Sequence, residues 1–376
     1  MRVTRVIARD FRAYEHAELA LGDGLTVVTG ANGAGKTNLL EALYFGCTGR
    51  SFRTANEREV VRFGADVARV EVLASDETGD HRLAVGLRPG EPKRLTVDDA
   101  RVERLTDSAA RPLVAVFAPD RLELVKGTPS LRRAHLDQVV VALWPSRATT
   151  RRSYARALAQ RNALLARVRS GAGSRSSLGA WDLELARHGV ALTADRAAAV
   201  DALQPRFAAR AGDLGLDARP ELSYRPRSRA TDPEALAAEL AERIDGDLER
   251  GFTGHGPHRD DLALTRDGRA LRAYGSQGQQ RLALLALLLA EREEIAAQRT
   301  AAPLLLLDDV MSELDEERRQ RLVALLQTGG QAVITATELA HVPHADGSGV
   351  ARVAVADGEV RSEAADGLAL ADRDAA

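Results

Sequence analysis

The sequence predicts an α/β fold whose two halves are separated in the chain by an all-helical lobe. An apolar run, Leu25-Thr26-Val27-Val28, passes through a glycine-rich stretch into a helix opening, Asn38-Leu39-Leu40-Glu41-Ala42-Leu43-Tyr44. A second apolar run, Leu304-Leu305-Leu306-Leu307, ends on Asp308-Asp309, as a buried strand of a parallel sheet would. Between them, from Leu131 to about Phe252, Ala, Leu and Arg recur at helical spacing. These observations assign residues 1–130 and 254–376 to the two halves of one domain and 131–253 to the lobe.

The elements follow in order. The first thirty residues alternate at Val3, Val6, Ala8, Phe11, Ala17, Leu19 and Leu21, which gives two or three strands. Strand-like runs recur at Ala68–Ala74, Arg82–Leu87, Arg94–Val97 and Leu113–Phe117, separated by Gly, Asp and Pro. In the lobe, Leu158, Leu164, Leu165 and Val168 mark one apolar face, and Leu183, Val190, Leu192 and Ala197 another. Pro205 and Asp217–Pro226 punctuate it, Gly171–Gly179 is a loop, and no heptads are sustained. Then come a strand at Leu262–Thr265 with a turn at Arg266-Asp267-Gly268, a loop at Tyr274–Gln280 and a helix at Arg281–Gln298. The strand at Leu304–Leu307, a helix at Asp315–Gln327 and a strand at Gln331–Thr335 complete the second half, and the last ten residues read as a loose tail.

Composition narrows the function classes. The 376 residues are 45% hydrophobic and 28% charged, a globular balance. The net charge of −2 offers no global attraction for nucleic acid, so any basic surface must be local. Lysine occurs only at Lys36, Lys93 and Lys126, and arginine supplies the other basic residues. Cys47 is alone, which excludes an internal disulfide and fits a reducing cytosol. Charges at Arg2, Arg5, Arg9 and Asp10 leave no apolar signal segment. The strongest apolar run, Leu282–Ala290, is about half a membrane span. The expectation is a cytoplasmic protein with no membrane partner.

Gly30-Ala31-Asn32-Gly33-Ala34-Gly35-Lys36-Thr37 is Gly-x-x-x-x-Gly-Lys-Thr in strand–loop–helix context, the phosphate-binding (Walker A) pattern. Its glycines let successive N–H groups face a polyphosphate, and the helix N-terminus adds its positive dipole end. Lys36 is expected to reach the β- and γ-phosphates of ATP, and the Thr37 hydroxyl to sit on Mg²⁺. Ligands bind at the carboxyl ends of parallel strands, so Asp308 is expected to hold Mg²⁺ there and Asp309 to polarise the attacking water.

Gly275-Ser276-Gln277-Gly278-Gln279-Gln280 precedes the long helix. Ser276 can cap it, or it can present a hydroxyl with free N–H groups to an anion. The order and spacing resemble the ABC-type ATPases, in which Ser-x-Gly-Gln is the signature motif covering the γ-phosphate held by another subunit. The resemblance assigns Ser276, Gly278 and Gln279 to ATP binding in trans, and Ser312-Glu313-Leu314-Asp315 to the D-loop.

Further blocks narrow the resemblance: Asp10-Phe11-Arg12, Gly49-Arg50-Ser51-Phe52-Arg53, Phe117-Ala118-Pro119-Asp120 and Arg132-Arg133-Ala134-His135-Leu136-Asp137. Tyr154 with Gln160-Arg161-Asn162, and His255-Gly256-Pro257-His258-Arg259, continue the order. Over about residues 1–360 the chain resembles the RecF family of bacterial DNA replication and repair proteins. The resemblance implies an ABC-type ATPase head like those of Rad50 and the SMC proteins, an ATP-dependent homodimer, and double-stranded DNA near gaps or single-/double-strand junctions. It also implies RecR and RecO as partners, assistance to RecA loading, and support of recombination and the SOS response. Asp309 stands where the wider ABC class has Glu, and no switch histidine follows Val333-Ile334-Thr335-Ala336-Thr337, so a weak ATPase serving as an assembly switch is expected.

Between Gln138 and Ala180 there are eight arginines and no acid, and residues 131–254 carry 20 arginines against 15 acids. This local excess favours a phosphate-backbone footprint on duplex DNA, with Arg147, Arg151, Arg152 and Arg156 as candidate contacts. His255 and His258 lack a third metal ligand and read as satisfied turn histidines. The alternatives are another SMC- or Rad50-like clamp, a transporter's nucleotide-binding subunit, or a module that binds ATP without turnover.

Overall fold

A computed structural model describes residues 1–105, 108, 110–299 and 302–363. The expected C-terminal tail lies outside these residues. The chain forms two compact units, Met1–Arg121 with Ile295–Ala376, and Leu122–Glu294.

In the first unit, the strands before the lobe are β1 (Arg2–Phe11), β2 (Tyr14–Ala20), β3 (Leu25–Thr29), β4 (Ala68–Asp76), β5 (Gly79–Leu87), β6 (Arg94–Val97), β7 (Ala100–Arg101) and β8 (Val114–Phe117). Helix α1 (Lys36–Thr48) follows β3. β1, β2 and β4–β7 form an antiparallel sheet in the order β2-β1-β4-β5-β6-β7. Its buried face follows strand alternation, for example at Val70, Val72 and Ala74 of β4.

The second unit contains α2 (Glu123–Lys126), α3 (Pro129–Leu143), α4 (Ala148–Arg169), α5 (Leu178–Asp213), β9 (Pro220–Arg225), α6 (Pro233–Glu242), α7 (Ile244–Arg250), β10 (Asp261–Arg266), β11 (Arg269–Ala270), α8 (Leu271–Tyr274) and all but the last turn of α9 (Gln277–Gln298). Tyr154, Ala157, Leu185, Leu192 and Leu240 pack together where α4, α5 and α6 meet. Three expectations are corrected here. The lobe is not all-helical, because β9, β10 and β11 make a sheet, with Asp261–Arg266 paired antiparallel to Arg225–Pro220. That pairing, with the Arg132–Asp261 ion pair of α3 and β10, holds the chain after residue 253 in the second unit. The boundaries therefore fall at 121/122 and 294/295, and the Ser276 stretch lies in the second unit. Pro205 also fails to break the chain: α5 runs through it for 36 residues, with Leu203 and Phe207 buried on either side.

The chain returns to the first unit through β12 (Leu304–Leu307), α10 (Glu316–Thr328), β13 (Ala332–Ala336), β14 (Ala351–Ala356) and β15 (Glu359–Glu363). β3, β8, β12, β13 and β14 are parallel, and β15 pairs antiparallel on the edge, in the order β15-β14-β3-β13-β12-β8. β12 and β13 are buried at every residue, which is why they read as continuous apolar runs. Helix α1 contacts both sheets, and its Leu39, Leu40, Ala42, Leu43 and Phe45 lie in the core between them. No helix among the described residues is long and apolar enough to cross a membrane.

Candidate functional site

β3 and β13 pair in parallel, as do β13 and β12. The carboxyl ends of these strands bring Gly30–Thr37 beside Asp308. Gly30 and Gly35 have φ of 155° and 113°, and a side chain at either would strike a neighbour. A Cβ on Gly30 would stand 2.3 Å from the Val355 carbonyl oxygen, and one on Gly35 2.6 Å from the Tyr14 hydroxyl. Glycine is required by conformation and by space together. The buried Lys36 ammonium donates to the Gly30 and Ala31 carbonyls at 2.7 and 3.0 Å, so it folds back over the loop it follows.

The Thr37 hydroxyl faces both Asp308 carboxylate oxygens at 3.0 and 2.9 Å. Thr335 donates its hydroxyl to Asp308 at 2.8 Å and accepts the Asp309 N–H at 2.9 Å. Burial raises the Asp308 pKa and the Asp309 charge adds to the rise, while the two threonine hydroxyls and the Arg53 charge oppose it. Asp309 is exposed and takes a left-handed φ of 49°, so the chain turns sharply after β12 and presents consecutive carboxylates differently.

Several residues of this site carry no signal in the motifs. Glu41, fully buried on α1, accepts a two-pronged pair from Arg12 at 2.9 and 2.7 Å, a hydroxyl from Ser51, and Arg53 at 3.3 Å. Arg53 also donates to Asn38, the residue after Thr37, at 2.8 Å. Two separated sequence blocks thus converge on one carboxylate one helical turn beyond the phosphate loop. The available hint was an acid inside Leu39-Leu40-Glu41-Ala42-Leu43. Tyr14 is buried against Gly35 with its hydroxyl unpartnered among the described residues, and burial pushes its pKa up to about 12.

In the second unit, Ser276 and Gln279 close the start of α9 reciprocally. The Ser276 hydroxyl accepts the Gln279 N–H at 3.2 Å, and the Gln279 side chain accepts the Ser276 N–H at 2.9 Å. This is a capping box. Ser276 and Gly278 are exposed, and Gln280 anchors the approach by donating to the Leu271 and Gly275 carbonyls.

The arginine candidates divide. Arg147 pairs with Asp195 and lies over the Trp144 ring, and Arg151 pairs with Asp137. Arg152 and Arg156 are exposed one turn apart on α4, with no ion pair among the described residues. Arg161, counted in the basic run, is buried between Asp182, Asp247 and Thr253. Acids distant in sequence fold back onto an acid-free stretch. His258 accepts the Tyr154 hydroxyl and donates to the Thr253 carbonyl, and burial lowers its pKa to about 4. His255 is held by Glu239.

The parallel sheet, the phosphate loop at the end of β3 and the acid-tipped β12 define an ABC-type ATPase head. A family model described as the RecF/RecN/SMC N terminal domain matches residues 2–360. The chain is 40% identical to the DNA replication and repair protein RecF of Myxococcus xanthus over 349 residues, covering 90% of this chain and 91% of the relative. It is 40% identical to RecF of Anaeromyxobacter sp. over 371 residues, covering 96% and 99%. A solved structure of the recombination mediator protein RecF with ATP, of the RecFOR pathway, superposes with a TM-score of 0.85 at 28% identity, covering 96% and 98%. An Smc head bound to the C-terminal winged-helix domain of ScpA shares the fold, at a TM-score of 0.61 and 16% identity. The chain belongs to the RecF family of DNA replication and repair proteins.

Proposed function

We propose that the protein binds ATP and Mg²⁺ at Gly30–Thr37 and Asp308, and that binding joins two copies on double-stranded DNA near gaps or strand junctions. RecO and RecR are its partners in helping RecA to load, in the cytoplasm and within the SOS response. The observation that carries the reading is the Thr37–Asp308 contact. It sets a hydroxyl and a carboxylate together at the mouth of a glycine-lined loop, the donor set that suits a hard divalent cation beside phosphate. Mg²⁺, when bound, supplies charge neutralisation to the β- and γ-phosphates. Around it, Lys36 exchanges its loop carbonyls for phosphate oxygens, Asp308 offers its carboxylate oxygens beside the Thr37 hydroxyl, and exposed Asp309 orients water. Asp309 is one methylene shorter than Glu, which favours slow turnover.

Ser276 is assigned to the nucleotide of the other copy. Its hydroxyl can leave the capping contact with the Gln279 N–H, and α9 then presents that N–H to an anion. Sedimentation with and without ATP tests the reading. Lys36→Arg replaces a compact ammonium with a planar fork and is expected to abolish ATP-dependent dimerisation. A variant that dimerises as the wild type does would overturn the switch. Mixing Lys36→Arg with Ser276→Ala leaves one composite site free of both lesions, so recovery of phosphate release in the mixture is the expected sign of completion in trans.

A further inference from the structure

Beside the signature stretch the second unit contains a cavity of about 370 Å³, within the range of small-molecule sites. Arg266, Asp267, Arg269, Tyr274, Gly275 and Gln279 line it. Tyr274 is 73% exposed, unusual for an aromatic side chain. Arg266 donates its Nε to the Asp217 carbonyl at 2.6 Å, which fixes the side chain through one nitrogen and leaves the terminal pair to a ligand. Arg269 and Asp267 make no ion pair among the described residues, and Asp267 takes a left-handed φ of 49° at the β10–β11 turn. An aromatic face, a carboxylate and two guanidinium groups in one cavity match a base, ribose hydroxyls and phosphate oxygens respectively.

We propose that this cavity receives the nucleoside end of the nucleotide held by the phosphate loop of a second copy. The inference rests on the trans assignment of Ser276 and extends it from the terminal phosphate to the base. Gly275 is extended, so Tyr274 and Ser276 stand about 7 Å apart along the chain. The phenol ring projects further still, separating a contact to the base from a contact to the phosphate. Tyr274 supplies the stacking face, Asp267 accepts the ribose hydroxyls, and Arg266 and Arg269 face the phosphate nearest the ribose.

Two measurements test this. In the first, dimerisation is titrated with ATP and with inorganic triphosphate, which has no base. Tyr274→Ala is expected to raise the ATP concentration at half-dimerisation about tenfold, within the range of losing one base–aromatic stack. Tyr274→Phe should stay near the wild type, and the triphosphate curve should move for neither. An unchanged ATP curve for Tyr274→Ala, or an equal shift with triphosphate, would overturn the proposal. In the second, 8-azido-ATP is photolysed in a mixed dimer of wild type and a size-tagged Lys36→Arg chain. Label at Tyr274 of the Lys36→Arg chain is expected, and label on the wild-type chain alone would refute the site. Failure of the wild type to dimerise with ATP refutes the trans assignment itself, an outcome distinct from both. Loss of duplex DNA binding by Tyr274→Ala with an unchanged ATP curve would assign the cavity to DNA.

Discussion

Asp308 is 6% exposed, and its carboxylate is met by the hydroxyls of Thr37 and Thr335. Its pKa is raised above the ordinary 3.8, chiefly by burial. A carboxyl that keeps its proton longer in the folded than in the unfolded chain stabilises fully below the ordinary value. That contribution is lost as pH rises through the folded value. At neutral pH the free protein therefore carries Asp308 as a cost, one that the proposed Mg²⁺ would offset. Asp308→Asn is expected to stabilise the nucleotide-free protein by roughly 1 kcal/mol at pH 7, and to remove Mg²⁺-dependent ATP binding. Thermal melts across pH 3–8, with ATP titrations with and without Mg²⁺, check both. A melting point unchanged or lowered at pH 7 would contradict the account.

Helix α1 links the phosphate loop to the rest of its unit. Gly46 lets it approach β4 so closely that an added Cβ would stand 2.4 Å from a Val72 methyl. Glu41 fixes the helix's other neighbours, since its buried carboxylate collects Arg12, Ser51 and Arg53. Arg12 is only 16% exposed, so removing Glu41 leaves a mostly buried guanidinium without its carboxylate. Breaking such a pair costs about 3–5 kcal/mol. Glu41→Ala is expected to lose stability on that scale in urea unfolding, with Arg12→Ala, Glu41→Ala together losing less than the sum. Additive losses would place the two residues in separate networks. The same helix carries Lys36 and Thr37, which makes Glu41 a residue that positions the loop.

Across the whole molecule, charge is a question of which arginines remain unneutralised. A protein that gives up counterion-releasing contacts loses about 0.9 from the log–log salt slope for each phosphate contact. Replacing Arg152 and Arg156 with Ala is expected to lower duplex affinity and to reduce the slope by about 2. Replacing Arg147 and Arg151, each already paired with an aspartate, should reduce it less. Anisotropy titrations at several salt concentrations distinguish these outcomes, and an unchanged slope in the first variant moves the DNA footprint off α4.

The placement of the loop and of the acid-tipped strand was legible because it is local. Gly30–Thr37 fits the loop through backbone angles and close approaches that only glycine permits, and Leu304–Leu307 reads as apolar because both faces of β12 are covered. The family followed from ordered blocks for a similar reason, since each is a short contiguous string. What the sequence left open depends on pairings between distant residues. Pro220–Arg225 looked like punctuation, yet it is a strand, and β10 paired with it keeps the Ser276 stretch in the second unit. The acid-free run looked uniformly basic, yet Asp137, Asp182, Asp195 and Asp247 fold onto it and leave Arg152 and Arg156 exposed without ion pairs among the described residues. Glu41 looked like one residue of a helix opening until Arg12 and Arg53 met on it. Sequence alone determined the phosphate loop, the acid-tipped strand and the family, because backbone conformation and burial act over a few residues. Tertiary structure decided the unit boundaries, the free charges and the support of the loop, because strand pairing and ion pairing act between segments that sequence holds far apart.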